Sequence, residues 1–389
     1  MFESSSIELS KSALTKNLKF LQKKIGTDVL ISSVIKGNAY GHGMGPFVQL
    51  AEECGIKHFS VFDASEAFEV HTHKNRTNTE IMIMGYADYD ALAWAIENGV
   101  SFYVFDKTRL TTACALAKKI KKPARIHLEI ETGMNRTGLK EESLREVVEI
   151  IKQEEKAIQL VGVCTHYAGA ESVANFKRIQ DQINNFHNEC QEIENFGLHI
   201  PVKHTAASAA ALSYPETRMD MVRIGIAQYG FWPTKETEMH YMLTETDKTD
   251  RHYTDPLRQV LRWSSKVMDV SEIKAGKFIG YGTSYMTLRP QKIAVVPVGY
   301  ANGFRRSLSN LGRVLIHGKR ANVIGLVNMS MILIDVTSIP SIEKGDEVVI
   351  IGKQNKTRIS VSSFSDMANL VNYEMLVRLP ADIPRVIVN

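Results

Sequence analysis

Residues Val29-Leu30-Ile31-Ser32-Ser33-Val34-Ile35-Lys36 form a short run of apolar and β-branched residues that has the length of a buried β-strand. Over the first part of the chain, segments with apolar residues at helical spacing alternate with runs of this kind. The other candidate strands are 58–62, 80–84, 101–105, 125–130, 159–165, 199–204 and 221–226. Strands that alternate with helices pair in parallel, and eight such units in succession predict a closed (β/α)8 barrel of the TIM type. An open doubly wound sheet fits less well, because no unit opens with the G-x-G-x-x-G turn of that fold.

The character of the chain changes after Phe231. Residues 233–257 are polar and charged, and they predict a linker or an exposed insertion. From Trp263 onward, short apolar runs are separated by turns, without regular helices between them; examples are 293–298, 313–316, 331–336 and 347–351. We therefore expect an α/β barrel over residues 1–232 and, beyond the linker, a mostly β C-terminal domain over 258–389.

The composition is that of a globular protein and excludes several other classes. Of the 389 residues, 44% are hydrophobic and 23% are charged, which is far from the composition of a disordered chain. The 47 basic and 43 acidic residues leave a net charge of only +4, so a dedicated nucleic-acid or membrane-surface protein is not expected. No apolar run approaches the roughly 18–20 residues of a membrane helix, and the N-terminus shows no export signal. We expect a cytoplasmic protein without nucleic-acid or membrane partners.

The cysteines and histidines do not predict a metal site. The four cysteines form no C-x-x-C pair, and their apolar or helical surroundings are typical of buried free thiols in a reducing compartment. The histidines offer one close pair, His71 and His73, but no Cys, Asp or Glu ligands stand at a suitable spacing beside it. We expect no bound metal.

The chemistry-bearing residues cluster at the carboxyl ends of the predicted strands, where barrel enzymes carry their active sites. Lys36 ends the first strand, and a poorly hydrated ammonium there has a lowered pKa that suits covalent chemistry with carbonyl compounds. Taken alone, Lys36 is better explained as a side chain that reaches from the barrel rim to solvent. The other strand ends add a carboxylate, two arginines, a histidine and a potential phosphate cradle: Glu129, Arg136, His166, Ser208, Arg223, Gly225 and Ile226. Together these groups are what a phosphate-bearing aldehyde cofactor needs.

Several segments resemble the alanine racemase family. Val34-Ile35-Lys36-Gly37-Asn38-Ala39-Tyr40-Gly41-His42-Gly43 resembles the pyridoxal-phosphate signature of that family. Further matching segments follow in the family's order at 132–138, 165–168, 222–226, 280–285, 298–301 and 372–374. The resemblance covers nearly the whole chain, barrel first and β domain second. It implies a pyridoxal 5'-phosphate-dependent amino-acid racemase, with L-alanine and D-alanine as the favoured substrates.

The resemblance implies two proton-transfer groups. Lys36 would hold the cofactor covalently and act as one base, and Tyr281 would act on the opposite face of the α-carbon. Racemisation needs such a pair, because one group removes the proton and the other returns it from the far side. Arg223 would bind the pyridine nitrogen and weaken the ring as an electron sink, and His166 would link Arg223 to Tyr281.

The resemblance also implies the binding residues and the assembly. The cofactor phosphate would be bound by Tyr40, Ser208, Tyr373 and the backbone of Gly225 and Ile226. The substrate carboxylate would contact Arg136 and the region of Met329. Since Lys36 belongs to the barrel and Tyr281 to the β domain, the resemblance implies a head-to-tail homodimer with shared active sites.

The sequence departs from the common family pattern at several positions. Where many relatives carry a lysine that becomes carbamylated, this chain has Glu129, whose carboxylate would orient the neighbouring Arg136 without any modification. Residues 325–330 read Gly-Leu-Val-Asn-Met-Ser where relatives often have Cys-Met-Asp. Ala207 replaces a common asparagine, and Asn302 a common aspartate.

Three other functions remain open from the sequence. One is a racemase of the same fold that acts on serine or on basic amino acids. The second is a decarboxylase of the same fold type, although the tyrosine pattern matches racemases. The third is a non-catalytic protein that binds pyridoxal phosphate for cofactor homeostasis; such proteins resemble the barrel alone, so the added β domain with Tyr281 favours a catalyst.

Overall fold

The computed structural model describes residues 3–245, 253–368 and 372–389. The chain forms two compact units. The first, here called the barrel unit, comprises residues 13–36 and 48–258. The second, here called the β unit, comprises residues 1–12, 37–47 and 259–389, and it contains the first strand of the chain, β1 (Ser5–Ser10).

The barrel unit is built on eight parallel strands. In chain order they are β2 (Leu30–Val34), β3 (His58–Val61), β4 (Glu80–Ile83), β5 (Ser101–Val104), β6 (Ala124–Glu129), β7 (Ile158–Cys164), β8 (Lys203–His204) and β9 (Met221–Ile224). Neighbours along the chain pair from β2 to β8, and β2 also pairs with β9. A parallel bridge between Ala207 and Arg223 connects the β8 end of this order to β9. The eight predicted strands and the closed barrel are confirmed.

The strands of the barrel unit are buried on both faces, which is typical of parallel sheets. Every residue of β3, β5 and β9 is buried, as expected for a parallel sheet that is covered by helices on one side and filled by side chains on the other. Runs of apolar residues such as Ser101-Phe102-Tyr103-Val104 supply this burial without the polar alternation of a half-exposed strand.

Three helices of the barrel unit begin at aspartate caps beyond the strand ends. Asp63, Asp88 and Asp106 each accept a hydrogen bond from the backbone N–H three residues later, at 2.8–3.0 Å. Such caps satisfy N–H groups that have no partner within the helix. The α-helices from the start of the chain to residue 245 are Lys11–Ile25, Met44–Glu53, Ala64–His73, Tyr89–Glu97, Lys107–Ile120, Glu141–Gln153, Phe176–Asn195, Ser208–Ser213 and Lys235–Glu245.

The segment 233–257, predicted as a polar linker or insertion, contains the helix Lys235–Glu245 and groups with the barrel unit. Aromatic packing explains the helix, because the Tyr241 ring lies 5.4 Å from Phe20 and 5.1 Å from Trp232, between ring centroids. Further along the chain, Asp255 accepts a hydrogen bond from the Trp232 indole at 3.1 Å. Residues 246–252 of this segment lie outside the described residues.

The β unit is a ten-stranded, mainly antiparallel sheet. Besides β1 it contains β10 (Leu261–Lys266), β11 (Asp269–Ile273), β12 (Gln291–Val296), β13 (Arg313–Ile316), β14 (Lys319–Ile324), β15 (Ile332–Asp335), β16 (Glu347–Gln354), β17 (Thr357–Ile359) and β18 (Arg385–Val388). The strand order is β11-β12-β15-β14-β13-β16-β10-β1-β18, and β17 pairs with β16. The mostly β second domain is confirmed.

The prediction that this part of the chain has no regular helices is wrong. Two short helices, Val361–Ala368 and Asn372–Val377, follow β17. The first begins where the Ser360 hydroxyl accepts the N–H of Ser363 at 3.2 Å, and it buries Val361 and Phe364. Within the described residues, no helix combines the length and the apolar character that crossing a membrane requires.

Candidate active site

A strained left-handed turn directly follows Lys36. Gly37, Asn38, Ala39, Tyr40 and Gly41 all have positive φ angles, between 51° and 76°. A left-handed conformation costs roughly 1–2 kcal/mol for each residue that carries a Cβ. The turn is held by backbone hydrogen bonds of 3.0 Å, including those from Gly41 to Gly37 and from Gly43 to Asn38. Three strained non-glycine residues in succession are typical of a functional site.

Gly41 cannot be replaced without moving the backbone. A Cβ at this position would lie 1.9 Å from the carbonyl oxygen of Leu376, within the same β unit. The Asn38 side chain stabilises the exit from the turn, because its Oδ1 accepts the N–H of Met44 at 2.7 Å. The backbone after Lys36 is therefore fixed by close packing as well as by hydrogen bonds.

The Lys36 ammonium lies in surroundings that disfavour its charged form. Although solvent reaches the side chain, desolvation lowers its pKa, and the charges of Arg136 and Arg223 lower the pKa further. The carboxylate of Glu66 opposes this change. A larger fraction of neutral amine at neutral pH makes Lys36 suitable as a nucleophile or a base.

Arg223 is a buried cation that the barrel holds in one orientation. Its Nη1 atom donates to Nδ1 and to the carbonyl oxygen of His204, both at 2.7 Å. Its Nη2 atom donates to the carbonyl oxygens of Thr165 at 2.7 Å and Thr205 at 2.9 Å. Four acceptors fix the guanidinium group from the barrel side, so its position does not depend on a ligand.

A second histidine extends this contact into the barrel interior. His127 Nδ1 lies 3.0 Å from His204 Nε2, and both side chains are fully buried. Because a guanidinium cannot accept a hydrogen bond, His204 Nδ1 must be the acceptor, and its proton is on Nε2. That proton is donated to Nδ1 of His127, which therefore carries its own proton on Nε2. Burial lowers the pKa of both imidazoles well below the usual value, which keeps them neutral.

Gly162 makes room for this pair. It is the β7 neighbour of His127, and a Cβ on it would lie 2.8 Å from His127 Nδ1 and 2.6 Å from the Val202 carbonyl oxygen. The missing side chain on β7 lets an imidazole from β6 reach one from β8. Sequence reasoning assigned no role to His127, since only the register of the barrel brings it next to His204.

His166 follows β7 and lies close to three cations. Burial and the charges of Arg223, Arg136 and Lys36 lower its pKa to about 3, so the imidazole is neutral. Among the described residues, no hydrogen bond joins His166 to Arg223; the acceptors of Arg223 are provided by His204, Thr165 and Thr205 instead. The predicted link from Arg223 through His166 to Tyr281 stays a prediction.

Glu129 ends β6 as a buried carboxylate, and its contacts differ from those predicted. Its Oε2 atom accepts the hydroxyl of Thr137 at 2.8 Å. The described residues contain no ion pair between Glu129 and Arg136, whose side chain is exposed. Burial raises the pKa of Glu129, whereas Thr137 and the charge of Arg136 oppose the rise. The backbone N–H of Arg136 donates to Oε2 of Glu131 at 3.3 Å.

Arg109 is a further cation near Glu129 that sequence reasoning did not identify. Its guanidinium is buried and lies 4.7 Å from the ring centroid of Phe105. Burial lowers its pKa to about 10, while Asp106 and Glu129 act in the opposite direction. Its Nε and Nη2 atoms have no hydrogen-bond partner among the described residues. Glu129 thus experiences positive charge from Arg136, Arg223 and Arg109.

The predicted phosphate-binding residues fall into two groups. In the barrel unit, the Ser208 hydroxyl accepts the N–H of Gly225 at 3.0 Å, which places Ser208 beside the backbone of Gly225 and Ile226. In the β unit, the rings of Tyr40 and Tyr373 are neighbours, with centroids 6.1 Å apart. Each group offers hydroxyl donors, and in the first the Ser208 hydroxyl is itself held by the N–H of Gly225.

Tyr281 projects from a tight hairpin of the β unit. It lies between Gly280 and Gly282, each with φ near 68°, and 71% of its surface is exposed. The hairpin is held by the hydrogen bond from the Ile279 N–H to the Tyr285 carbonyl oxygen at 3.0 Å. The glycines permit the left-handed corners on both sides of the phenol.

Met329 is also exposed, and its backbone is fixed. Its carbonyl oxygen accepts the N–H of Ala301 at 2.9 Å, and the neighbouring Asn328 carbonyl accepts the N–H of Tyr300 at 3.0 Å. The β unit exposes several other large apolar side chains besides these: Phe278, Met286, Leu288, Tyr300 and Leu311.

Comparisons with known proteins agree with this arrangement. The family model described as "Alanine racemase, N-terminal domain" matches residues 9–233, and the model described as "Alanine racemase, C-terminal domain" matches residues 260–387. An alanine racemase of Leptospira interrogans is 34% identical over 386 residues, which cover 99% of this chain and 96% of the relative.

Solved structures show the same similarity. The alanine racemase of Clostridium difficile 630 has a TM-score of 0.88 and 28% identity, and the match covers 100% of this chain and 96% of that one. The alanine racemase of Bartonella henselae, solved with covalently bound pyridoxal phosphate, has a TM-score of 0.80 and 24% identity over 100% of both chains.

Proposed function

Since this chain belongs to the alanine racemase family, we infer that it is an isomerase that interconverts L-alanine and D-alanine. The observation that carries this inference is the match of both family domains, barrel and β domain, to one continuous chain. A cofactor-homeostasis protein is not favoured, because the relatives named alanine racemase align over nearly their whole length. Their names likewise do not favour a decarboxylase or a racemase for serine or basic amino acids.

We propose pyridoxal 5'-phosphate as the cofactor, and the donor set of the barrel fits it. The amine of Lys36 has a lowered pKa, Arg223 is a fixed cation, and Ser208 lies beside backbone N–H groups. These groups suit an aldehyde, a ring nitrogen and a phosphate respectively. When bound, pyridoxal phosphate supplies the electron sink that stabilises the carbanion left when the α-proton departs.

Lys36 and Tyr281 are the proposed proton-transfer groups. Lys36 would hold the cofactor covalently through Nζ, and once the substrate amine had displaced it, the freed Nζ would take or return the α-proton on one face of the substrate. The Tyr281 hydroxyl does the same on the opposite face, which is the requirement for inverting a stereocentre. The lowered pKa of the Lys36 amine supports this role, since an amine must be neutral to accept a proton.

Arg223 sets the strength of the electron sink in this proposal. Its charge is permanent, and four acceptors in the barrel wall fix its position. Facing the pyridine nitrogen, this guanidinium would disfavour protonation of that nitrogen and so weaken the electron sink that the cofactor would supply. Proton return to the α-carbon is then favoured over side reactions such as transamination.

The remaining residues bind and orient. Ser208 and the backbone of Gly225 and Ile226 bind the cofactor phosphate, together with the phenols of Tyr40 and Tyr373. Arg136 and the backbone near Met329 bind the substrate carboxylate. Glu129 stabilises the positive charge of Arg136 from within the barrel, a role supported by their electrostatic interaction.

A head-to-tail homodimer completes the proposed active site. Tyr281 and Met329 are exposed side chains on tight loops of the β unit. A partner chain that covers them would exclude water and bring Tyr281 to the substrate held by its barrel. We also propose a cytoplasmic location, which the free thiols of Cys54, Cys114, Cys164 and Cys190 support.

Exchange of the α-hydrogen for deuterium tests the function directly. The protein with pyridoxal phosphate is incubated in deuterated water with L-alanine, L-serine, L-lysine or L-arginine, and loss of the α-proton signal is followed by NMR. We expect the fastest exchange with alanine, together with formation of D-alanine. Faster exchange with serine or a basic amino acid would reassign the substrate. Bound cofactor without exchange would indicate a homeostasis protein, and release of carbon dioxide a decarboxylase.

A further inference from the structure

The β unit contains a cavity of about 270 Å³ that none of the proposed catalytic or cofactor-binding residues lines. Three arginines from three strands surround it: Arg313 on β13, Arg320 on β14 and Arg358 on β17. The buried side chains of Ile359 and Phe364 form apolar parts of its wall. A cavity of this size accommodates a small molecule but not a macromolecule.

Strand pairing fixes the arginines around the cavity. Arg320 lies opposite Leu315 in the antiparallel pair of β13 and β14, and Leu315 is two residues from Arg313. Since side chains two residues apart share a face of the sheet, Arg313 and Arg320 project to the same side. Arg358 is connected to them through its carbonyl oxygen, which accepts Nη2 of Arg320 at 3.3 Å. All three arginines therefore line one cavity, and the strand pairing places Arg313 and Arg320 on the same side of the sheet.

These arginines lack the acidic partners that Arg262 and Arg378 of the β unit have. Arg262 pairs with Glu8 at 3.1 Å and with Glu347 at 2.7 Å, and Arg378 pairs with Glu374 at 2.6 Å. In the described part of the chain, none of the three cavity arginines forms an ion pair, and no carboxylate lines the cavity. The Arg358 guanidinium donates only to a neutral acceptor, Oε1 of Gln259, at 3.0 Å.

Like charges held together without a counter-charge repel one another, so the cavity is electrostatically suited to an anion. A guanidinium presents parallel N–H groups that match the oxygens of a phosphate group. Ser363 also lines the cavity; its hydroxyl shares a hydrogen bond of 2.9 Å with the Ser360 hydroxyl, and it lies in the first turn of the helix Val361–Ala368, where the helix dipole favours negative charge. A multiply charged anion compensates three guanidinium groups better than a single carboxylate does.

We propose that this cavity binds a small phosphate-class anion, such as inorganic pyrophosphate or a phosphate monoester. The site is separate from the residues proposed for the cofactor phosphate and shares none of them. Its existence does not rest on the proposed racemase function, because the argument uses only the charges and the shape of the β unit.

Binding of pyrophosphate to the cofactor-saturated protein tests the proposal. Saturation fills the phosphate site of the barrel, so titration calorimetry at low ionic strength reports on additional sites. We expect one additional site per chain for pyrophosphate, weaker binding of inorganic phosphate, and little binding of acetate. Arg320→Gln should weaken pyrophosphate binding by about tenfold or more, because it removes a charge-assisted contact. Arg313→Gln provides an independent second variant if Arg320→Gln folds poorly.

A matched control distinguishes binding at this cavity from the general effect of removing one positive charge. Arg145→Gln removes the same charge from an exposed arginine of the barrel unit, which pairs with Glu192 at 3.3 Å. It should leave pyrophosphate binding within about twofold. Pyrophosphate should also raise the melting temperature of the wild type but not that of Arg320→Gln. The proposal is overturned if no additional site is found at millimolar pyrophosphate, or if Arg145→Gln weakens binding as much as the cavity variants do.

Discussion

The Nη1 atom of Arg223 lies 2.7 Å from Nδ1 of His204, and this contact fixes the protonation state of the barrel interior. An arginine only donates, so the imidazole of His204 must be neutral with its proton on Nε2. The same reasoning assigns the proton of His127 to Nε2, because its Nδ1 is 3.0 Å from His204 Nε2. Arg223 is thereby the one charged group of this three-residue chain, and the two histidines position it.

Replacing His127 should change the tautomer of His204 while the protein remains folded. His127→Leu removes the acceptor for the His204 Nε2 proton, and an unsatisfied buried donor costs about 1–3 kcal/mol of stability. His127→Asn is the matched control, because its side-chain oxygen occupies a position similar to Nδ1. We expect nitrogen NMR of the wild-type imidazoles to show His204 as the Nε2–H tautomer, with mixed tautomers in the leucine variant.

The activity of these variants provides a second readout. In His127→Leu, kcat for alanine should fall by about tenfold with KM nearly unchanged, since His204 Nδ1 becomes a less constrained acceptor for Arg223 while no substrate contact is lost. His127→Asn should recover most of the loss. A wild-type His204 that carries its proton on Nδ1, or an asparagine variant as impaired as the leucine variant, would contradict this role.

Covalent labelling should identify Lys36. Borohydride reduction makes a bond between pyridoxal and a lysine amine permanent, and peptide mapping then locates the label. The lowered pKa of Lys36 predicts that it reacts in preference to other lysines. Lys36→Arg, which keeps a positive charge but cannot form the bond, is the control and should remain unlabelled. A label on another lysine in the wild type would overturn the site assignment.

Glu129 should influence substrate binding through its charge. Glu129→Gln keeps an acceptor for the Thr137 hydroxyl but removes the negative charge that acts on Arg136. We expect the cofactor to remain bound and KM for alanine to rise several-fold, because an uncompensated Arg136 is less well oriented. Added bicarbonate should not change the wild-type kinetics, since the anion is a side chain of the protein. An unchanged KM in Glu129→Gln would contradict the proposed role of Glu129 in substrate binding.

Buried histidines should make the protein less stable in mild acid. Burial lowers the pKa of His42 to about 3, whereas an unfolded chain protonates its histidines near pH ~6.5. Between these values the unfolded state binds more protons, so stability rises with pH; the contribution is complete above pH ~6.5 and is lost as the pH falls toward 3. One such histidine contributes up to about 1.4 kcal/mol per pH unit.

Urea unfolding between about pH 4.5 and 7 measures this slope. His42→Asn removes the titrating group and keeps an amide that can donate to the Tyr40 carbonyl, the partner of the His42 ring at 3.0 Å. The variant should show a flatter dependence of stability on pH than the wild type. Equal slopes would mean that His42 does not contribute in this pH range.

The sequence predicted the barrel because its signal is local and repeated. Most of the eight strands are short, mainly apolar runs, and parallel pairing brings the carboxyl ends of the strands together. For that reason the sequence alone assigns Lys36, Glu129, His166 and Arg223 to one end of the barrel.

The features that were missed depend on packing between distant segments. Ser5–Ser10 joins the sheet of the β unit by pairing with Leu261–Lys266, which its own residues do not indicate. The helix Lys235–Glu245 looks like a polar linker until Tyr241 is seen to pack on Trp232. The contact between His127 and His204 depends on the strand register that places Gly162 of β7 beside His127. The sequence contains this glycine but does not reveal the register.

Complementation between two inactive variants tests the central claim, which is that Lys36 of one chain and Tyr281 of its partner form one active site. Lys36→Ala and Tyr281→Phe should each be nearly inactive as pure homodimers. After the two are dissociated together and reassociated, one site of every mixed dimer has both bases intact. With random pairing about half of the dimers are mixed, and half of their sites work, so activity should recover to about a quarter of the wild-type value. No recovery, despite demonstrated subunit exchange, would contradict the shared two-base site.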